Sequence, residues 1–408
     1  MTSATPHPGL LRTERPDGHR VTPLELFFDL VYVFAVTQLS HLLLEHLTLH
    51  GAFQTLLLLL AVWWAWIDTA WVTNWFDPDR RPVRQMLMLV MLASLIVSAT
   101  IPQAFGPYGL IFACAYVALQ VGRCLFCVAS LGDDPALRLN FQRILAWACF
   151  SGLIWLAGGL ATGGAREALW LIAVILDTTA PAVGFYVPGL GRSRTTDWAI
   201  AGAHLAERCH LFLIIALGES ILIIGTALSE MELEPATVAA FAVSFLGSCA
   251  MWWIYFYRTA EVGSATIAHA RDPGSLGRSA YTYFHIPMVA GIIVTAVGDE
   301  HTLAHPTDPA SVGVVATIVA GPALFLIGHA LFKRATFGHF SPARPLAVVA
   351  LVVLSPLGLL ISPLVLSAAA TAVLVGVGLY DSWASESLAP IEIEDLEDAG
   401  EAPEASAV

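Results

Sequence analysis

The sequence predicts an all-α membrane protein, a polytopic bundle of about 12 transmembrane helices. The first observation is composition: 57% of the 408 residues are apolar and 12% are charged, about half the charged share of a typical soluble domain. The second is a mean hydropathy of +0.72. The third is the presence of many runs near the roughly 20 apolar residues that a membrane-spanning helix needs. These observations argue against a soluble enzyme, a nucleic-acid-binding protein, a disordered chain and a disulfide-rich secreted module.

Twelve apolar runs follow one another along the chain. They lie near residues 23–44, 52–74, 84–101, 108–130, 144–162, 168–187, 204–228, 237–257, 281–298, 312–332, 345–361 and 364–382. Pro356 and Pro363 interrupt the last two runs, which leaves open two spans or one broken span.

The basic residues support this count. Of the 19 lysines and arginines, only Arg166 falls in a connection on the opposite side from the others. Because basic residues collect on the cytoplasmic side of membrane proteins, the distribution predicts that both termini are cytoplasmic.

A recurring pattern predicts two six-helix halves. The first run opens with Glu25 and carries Gln38 thirteen residues later. The seventh opens with Glu207 and carries Glu219 and Ser220 twelve and thirteen residues later. A pair of neighbouring tryptophans recurs in the second and eighth runs. Six is an even number, so both halves enter the membrane from the same side and form a parallel repeat.

This repeat divides the chain into four parts. They are a cytoplasmic N-terminal segment (1–20), a first six-helix half (21–190), a second six-helix half (191–384) and an acidic cytoplasmic tail (385–408). The tail is rich in carboxylates and lacks basic residues, a composition typical of a disordered, solvated end.

Ionisable side chains inside the apolar runs are costly, and by default they mark function. Most of them lie near the cytoplasmic ends of the predicted helices, with arginines at the same level. They indicate either a binding site or vestibule, or a set of structural ion pairs. The candidates for a pathway or binding site are Glu25, Asp29, Gln38, Asp68, Glu207, Arg208, Glu219, Ser220 and His285.

Glu219 differs from the other acids. It lies about 20 Å along its helix, close to the middle of the bilayer, with Gln38 at the equivalent depth of the first span. An unpaired carboxylate at this depth takes up a proton or binds a cation. The alternative is a neutral, hydrogen-bonded acid that packs helices.

The chain carries no pattern typical of an enzyme or a metal site. His204, Glu207 and His210 form HxxExxH, but the three side chains spread over about 120° of helix surface, which is too wide for a usual metal face. GxSxG, P-loop and dinucleotide-binding patterns are absent from plausible contexts. We therefore predict a protein that is not an enzyme, with no cofactor, no metal ligands and, from six cysteines in or beside apolar runs, no disulfide framework.

Several stretches resemble the bacterial low temperature requirement A (LtrA) family, over residues 20 to 380. They are residues 21–31 with 38–41, 63–66 with 75–77, 204–208 with 217–221, and 285–287 with Gly291. Where the family has an aromatic–glycine pair after Glu207-Arg208, this chain has Cys209-His210. The resemblance implies a multi-pass protein of the bacterial cytoplasmic (inner) membrane, and it carries no defined biochemical activity.

Residues 28–37 are also similar to the first-helix signature of the lysosomal-type potassium channels, which likewise use six-helix repeats. Three functions follow: a transporter or permease, a cation channel, and a non-transporting scaffold or stress and cold-adaptation sensor. We expect a transporter for an ion or small solute, with the lipid bilayer as partner and no nucleic acid, and with a monomer and a homo-oligomer both left open.

Overall fold

The computed structural model describes residues 9–12, 20–132, 134–198, 200–257, 259–338 and 340–387. Within these residues the elements are helices and turns. The N-terminal part holds α1 (Pro23–Glu45), α2 (Leu49–Trp75), α3 (Arg81–Thr100), α4 (Gly109–Ser130), α5 (Pro135–Leu160) and α6 (Gly164–Thr179). The C-terminal part holds α7 (Gly202–Ser229), α8 (Pro235–Phe256), α9 (Thr259–Ala268), α10 (Pro273–Leu276), the π-helical turn Gly277–Tyr283, α11 (His285–Ala304), α12 (Val312–Phe337), α13 (Ala343–Gly358) and α14 (Pro363–Ser387).

The prediction of an all-helical, multi-span membrane protein is confirmed. Ten helical segments in the described part of the chain are long and apolar enough to cross a membrane. Helices α6 and α13 have 16 residues each, which makes them about 24 Å long. They are therefore shorter than the hydrocarbon core of a bilayer, which is about 30 Å thick. Every predicted apolar run overlaps a helix, although the run 168–187 continues past the end of α6 at Thr179, and the last two runs form separate helices rather than one.

Local sequence explains where several helices begin. Thr22 and Glu25 form a capping box at the start of α1, in which each side chain satisfies a backbone N–H of the other. Asp134 and Ser311 cap α5 and α12 by accepting from backbone N–H groups of the first turn. At the other end of α12, Gly338 has a left-handed φ of 77°, the conformation that glycine adopts at least cost.

Helix packing follows the same order in both parts of the bundle. In the N-terminal part, α1 packs against α2 and α3, the helices α3 to α6 then pack in succession, and α6 contacts α2. In the C-terminal part, α7 packs against α8 and α11, the helices α11 to α14 pack in succession, and α14 contacts α8. The two parts meet where α1 packs against α7 and α11.

The contact between α11 and α12 depends on glycines. A Cβ placed on Gly291 would lie 2.5 Å from the backbone nitrogen of Phe325, and one on Gly328 would lie 2.9 Å from the backbone nitrogen of Met288. Since these distances are too short for any side chain, glycine allows the two backbones to approach closely, as it does in many membrane bundles.

Arg166, the basic residue on the opposite side of the bundle from the rest, binds backbone rather than acids. Its guanidinium donates to the carbonyl oxygens of Ala104 at 2.9 Å, Gly106 at 2.6 Å and Ala161 at 3.0 Å. It therefore ties the turn after α3 to the end of α5, a structural task that accounts for its position.

The predicted terminal segments lie largely outside the described residues. Of the segment 1–20, residues 9–12 and Arg20 are described. Of the predicted tail 385–408, the first three residues continue α14, and 388–408 are outside the described part. The predicted boundary between the two halves at 190/191 falls in the connection between α6 and α7.

Candidate functional site

A buried cluster of charged side chains joins α1 to α7. The carboxylate of Glu25 accepts hydrogen bonds from Arg12 at 3.0 Å and from Arg208 at 3.1 Å. The ring Nε2 of His204 lies 3.0 Å from the same carboxylate. Arg208 also donates to Asp29 at 2.6 Å. Glu25, Asp29 and Arg208 have no exposed surface. Two acids face two arginines, so the charges balance within this cluster, which we call the charge cluster.

The order of residues in α1 and α7 produces this arrangement. Glu25 and Asp29 stand four residues apart and share one helix face, and His204 and Arg208 share a face of α7 in the same way. Trp66 of α2 adds a hydrogen bond from its indole nitrogen to Asp29 at 2.7 Å. The second carboxylate oxygen of Asp29 has no partner among the described residues.

A short N-terminal strap, residues 9–12, covers the charge cluster. Its backbone pairs with the end of α2, from the Arg12 nitrogen to the Trp75 carbonyl at 2.8 Å and from the Asp77 nitrogen to the Leu10 carbonyl at 2.9 Å. The Arg12 side chain then donates to the Thr73 carbonyl at 2.7 Å as well as to the cluster. The strap therefore packs over the buried acids where α1 begins and α2 ends.

A cavity lies beside this cluster, lined mainly by α2, α4 and α5 and, at its outer end, also by Trp198, Arg278 and Thr282. Its first part, the outer chamber, lies where α2 ends and α5 begins, and has an empty volume of about 590 Å³, including the part open to solvent. Six rings line it: Trp64, Trp71, Trp75, Phe141, Phe185 and Trp198. Its charged groups are Asp68, Arg123 and Arg278, and Arg278 donates to the Pro181 carbonyl at 3.0 Å.

The second part, the inner chamber, continues towards the middle of α4 and α5, with an empty volume of about 410 Å³ on the same basis. It shares Trp64, Asp68, Arg123, Cys124, Ile144 and Phe185 with the outer chamber. The two chambers are therefore neighbours that share part of their walls. Phe185, whose ring lines both, has a left-handed φ of 48°, a conformation that a bulky residue adopts only under local constraint.

A ladder of hydrogen-bonded polar side chains runs along the wall of the inner chamber. Gln120 donates to Asp68 at 3.2 Å and to the Tyr116 hydroxyl at 3.3 Å. Tyr116 then donates to Asp177 at 3.2 Å, and the indole of Trp155 donates to the same oxygen at 2.9 Å. The ladder connects two acids of the membrane region through neutral groups.

The two acids of this ladder have different partners. Asp68 pairs with Arg123 at 3.1 Å, and Arg123 also donates to Thr69 at 2.9 Å. Asp177 has neutral donors and forms no ion pair within the described residues. The ladder therefore carries one compensated and one uncompensated carboxylate.

Glu219, predicted near the middle of its helix, lies in the junction between α1 and α7. Its carboxylate accepts from the Thr37 hydroxyl at 2.6 Å. The neighbouring Ser220 contacts Ser248 of α8 at 3.1 Å, and Gln38 is half-buried on α1. These residues are separate from both chambers and from the charge cluster.

His285 is buried in an aromatic environment. Its Nε2 lies 2.7 Å from the Tyr255 hydroxyl and its Nδ1 lies 2.9 Å from the Ala280 carbonyl. The ring stacks on Tyr281 of the preceding π-helical turn, and Trp63 packs nearby. Both ring nitrogens have partners, so the residue acts as a junction between α8 and α11 in this arrangement.

The structure does not bring Glu207 into the charge cluster. Its side chain is exposed, and its carboxylate accepts from the Val21 backbone N–H at 3.4 Å. At 100° per residue, a helix that buries Arg208 turns the residue before it away. The HxxExxH residues are likewise separated, and the described residues contain no group of three or more histidines, cysteines or acids placed to hold a metal ion.

Sequence reasoning missed three residues of these sites. His204 and Arg12 complete the environment of Glu25, and Asp177 lines the inner chamber. Two of them carried a detectable signal: His204 lies four residues before Arg208, and Asp177 is an acid within a predicted span. Arg12 had none, because its position depends on the strap's pairing with the end of α2.

The fold and these sites define a class, the multi-span helical membrane proteins. The family model "Bacterial low temperature requirement A protein (LtrA)" matches residues 20–379, and the chain belongs to this family. An uncharacterised protein of Rhizobium meliloti (strain 1021) is 40% identical over 330 residues, which cover 80% of this chain and 80% of that protein. No solved structure matches the chain.

Proposed function

We propose that this LtrA-family protein is a transporter or permease that moves an ion or small solute, with intramembrane carboxylates on its pathway. The observation that carries the proposal is the two-chamber cavity lined mainly by helices of the N-terminal part. The cavity is a concave space inside the helical bundle, as small-ligand sites usually are. Apolar walls with a few convergent polar groups are also typical of such sites.

The positions of the acids support the same function. Charged groups within the membrane are costly and usually face an interior cavity or pathway. Asp68 and Asp177 line the cavity, and Glu219 lies at the junction of α1 and α7 with a single neutral donor, Thr37, among the described contacts. We place Asp68, Asp177 and Glu219 on the pathway and assign the charge cluster to holding α1 and α7 together.

The order of helix packing supports the predicted parallel repeat. Because α1 to α6 and α7, α8 and α11 to α14 contact one another in the same order, we propose 12 spans in two halves, 21–190 and 191–384, with α6 and α13 as short spans. Parallel repeats of this kind occur in transporters. The distribution of basic residues supports cytoplasmic termini in the bacterial inner membrane.

Flux measured in proteoliposomes tests the proposal. Purified protein is reconstituted, and uptake of protons, monovalent cations and a panel of radiolabelled small solutes is compared with protein-free vesicles. The variants are Glu219→Gln, which removes the mid-membrane charge, and Ala148→Leu, which adds volume at the wall of the inner chamber. Glu261→Gln, a change of an exposed acid on α9, is the matched control.

We expect flux in the wild type and in Glu261→Gln, and loss of flux in the other two variants at unchanged thermal stability. Current recordings then distinguish a transporter from a cation channel, since a channel conducts without saturation at low solute concentration. No flux of any solute by the wild type would overturn the proposal and favour a scaffold or sensor.

A further inference from the structure

We propose that the inner chamber is a binding site for a small organic cation, a substituted ammonium ion. The assignment deepens the proposed function, since it names the class of solute that the same cavity takes. Three features of the chamber carry it: the aromatic surface of its walls, the balance of charge along them, and the absence of Arg278 from its lining.

The walls are aromatic on several sides. Five rings line the inner chamber: Trp64, Tyr116, Trp147, Trp155 and Phe185. The faces of such rings attract cations, most strongly in the case of tryptophan and when water is excluded. A box of aromatic rings is the usual recognition site for quaternary ammonium groups, because their methyl groups bury apolar surface while their charge interacts with the rings.

The charge on the walls is negative by one unit when both acids are ionised. Asp68 and Arg123 lie 3.1 Å apart and compensate each other. Asp177 accepts from Tyr116 and Trp155 and pairs with no basic group in the described part of the chain. One uncompensated carboxylate among aromatic rings therefore favours a single positive charge in the chamber.

The outer chamber does not share this preference. Arg278 lines the outer chamber and not the inner one. Its guanidinium donates to the Pro181 carbonyl rather than to an acid. The polarity of the cavity consequently changes along its length, from a positive group in the outer chamber to a negative group in the inner one. A cation is held in the inner chamber, beside Asp177.

Equilibrium binding of radiolabelled choline to the purified full-length protein in detergent tests the site, independently of transport. Unlabelled 3,3-dimethylbutan-1-ol has the same shape without the charge, and rubidium ion has the charge without the methyl groups. We expect choline to bind and unlabelled choline to displace it, and neither the neutral analogue nor rubidium to compete at concentrations tenfold higher. Competition by the neutral analogue at equal concentration would overturn the proposal, and so would competition by rubidium.

Variants locate the site within the chamber. Asp177→Asn keeps the side-chain volume and removes the charge, and we expect it to weaken choline binding about tenfold or more. Asp299→Asn changes another acid of the bundle that is buried and lies outside both chambers, and should leave binding unchanged. Equal weakening in both variants would contradict the assignment.

A second pair of variants keeps the test valid if Asp177→Asn does not fold. Trp147 is half-buried at the chamber wall, so Trp147→Leu should weaken choline binding several-fold, and Trp147→Phe should restore most of it. The same affinity for choline in Trp147→Leu and Trp147→Phe would overturn the assignment of an aromatic site. Choline binding without flux would retain this site and overturn the transporter; flux without choline binding would do the reverse.

Discussion

In the N-terminal six helices, α2, α4, α5 and α6 surround a cavity, whereas in the C-terminal part the corresponding place is filled. There, Arg344 pairs with Asp381 and with the ring of His329, and Tyr255 and Phe332 pack against that histidine. The N-terminal part lines the same region with large rings that leave space between them, most of them tryptophans. One order of helix packing thus supports both a cavity and a closely packed centre, depending on the side chains that lie there.

Glycines allow close contacts in both parts. In the C-terminal part, Gly291, Gly321 and Gly328 bring α11 and α12 together, and in the N-terminal part a Cβ on Gly159 would lie 2.9 Å from the Cβ of Ala113. Because close backbone approach limits how far two helices can shift, we expect the contact between α11 and α12 to be rigid.

The largest expected effect follows from breaking the junction between the two parts. Arg208→Met leaves Glu25 and Asp29 buried with an uncompensated charge, and removing one partner of a buried ion pair costs about 3–5 kcal/mol. Thermal unfolding in detergent should show a large drop in melting temperature. Arg278→Met, at a half-buried arginine bound to a backbone carbonyl, is the control and should change little. Equal stability of the two variants would mean that the charge cluster does not hold α1 to α7.

The next effect tests the rigid contact in the C-terminal part. Gly291→Ala places a Cβ 2.5 Å from the backbone nitrogen of Phe325, so the helices must separate, at a cost of about 1–3 kcal/mol. Gly376→Ala meets no atom within 4 Å and should be neutral or slightly stabilising. The melting temperatures of both variants measure the difference, and an unchanged value for Gly291→Ala would contradict close packing.

The smallest effect compares the centres of the two parts directly. Ala148→Leu adds a side chain at the wall of the inner chamber, where space is available, and should change the free energy of unfolding by less than about 1 kcal/mol. Ala296→Leu adds the same atoms at a buried position of α11 and should cost about 1–3 kcal/mol. A cost for Ala148→Leu as large as that for Ala296→Leu would indicate that the chamber is closed by packing in the membrane.

The helices and several of the buried groups could be predicted from the sequence. Apolar runs and charge distribution identify spans because the bilayer imposes their length and orientation. The four-residue spacing of Glu25 and Asp29 placed them on one face, and the structure brings them to Arg208. Glu207, predicted as a pathway or binding residue, lies on the exposed face of α7 outside the cluster, because the helix that buries Arg208 turns the preceding residue away.

Other features depend on contacts between distant residues. The strap of residues 9–12 carries no periodic pattern, and its place is set by hydrogen bonds to Trp75 and Asp77. The chamber results from how α2, α4, α5 and α6 fail to interdigitate, which no local pattern encodes. The π-helical turn Gly277–Tyr283 likewise arises from packing, including the hydrogen bond from Trp63 to the Thr282 carbonyl.

The pairing of Asp29 with Arg208 also orders the events of synthesis. The two residues are 179 positions apart, and a ribosome adding 5–20 residues per second needs roughly 10–40 s to cover that distance. During this interval Asp29 lacks its arginine partner, whereas the partner of Glu25 in the strap, Arg12, precedes it in the chain. Stable seating of α1 in the bilayer therefore waits for the arrival of α7, and the N-terminal part of the bundle matures only after the C-terminal part has begun to emerge.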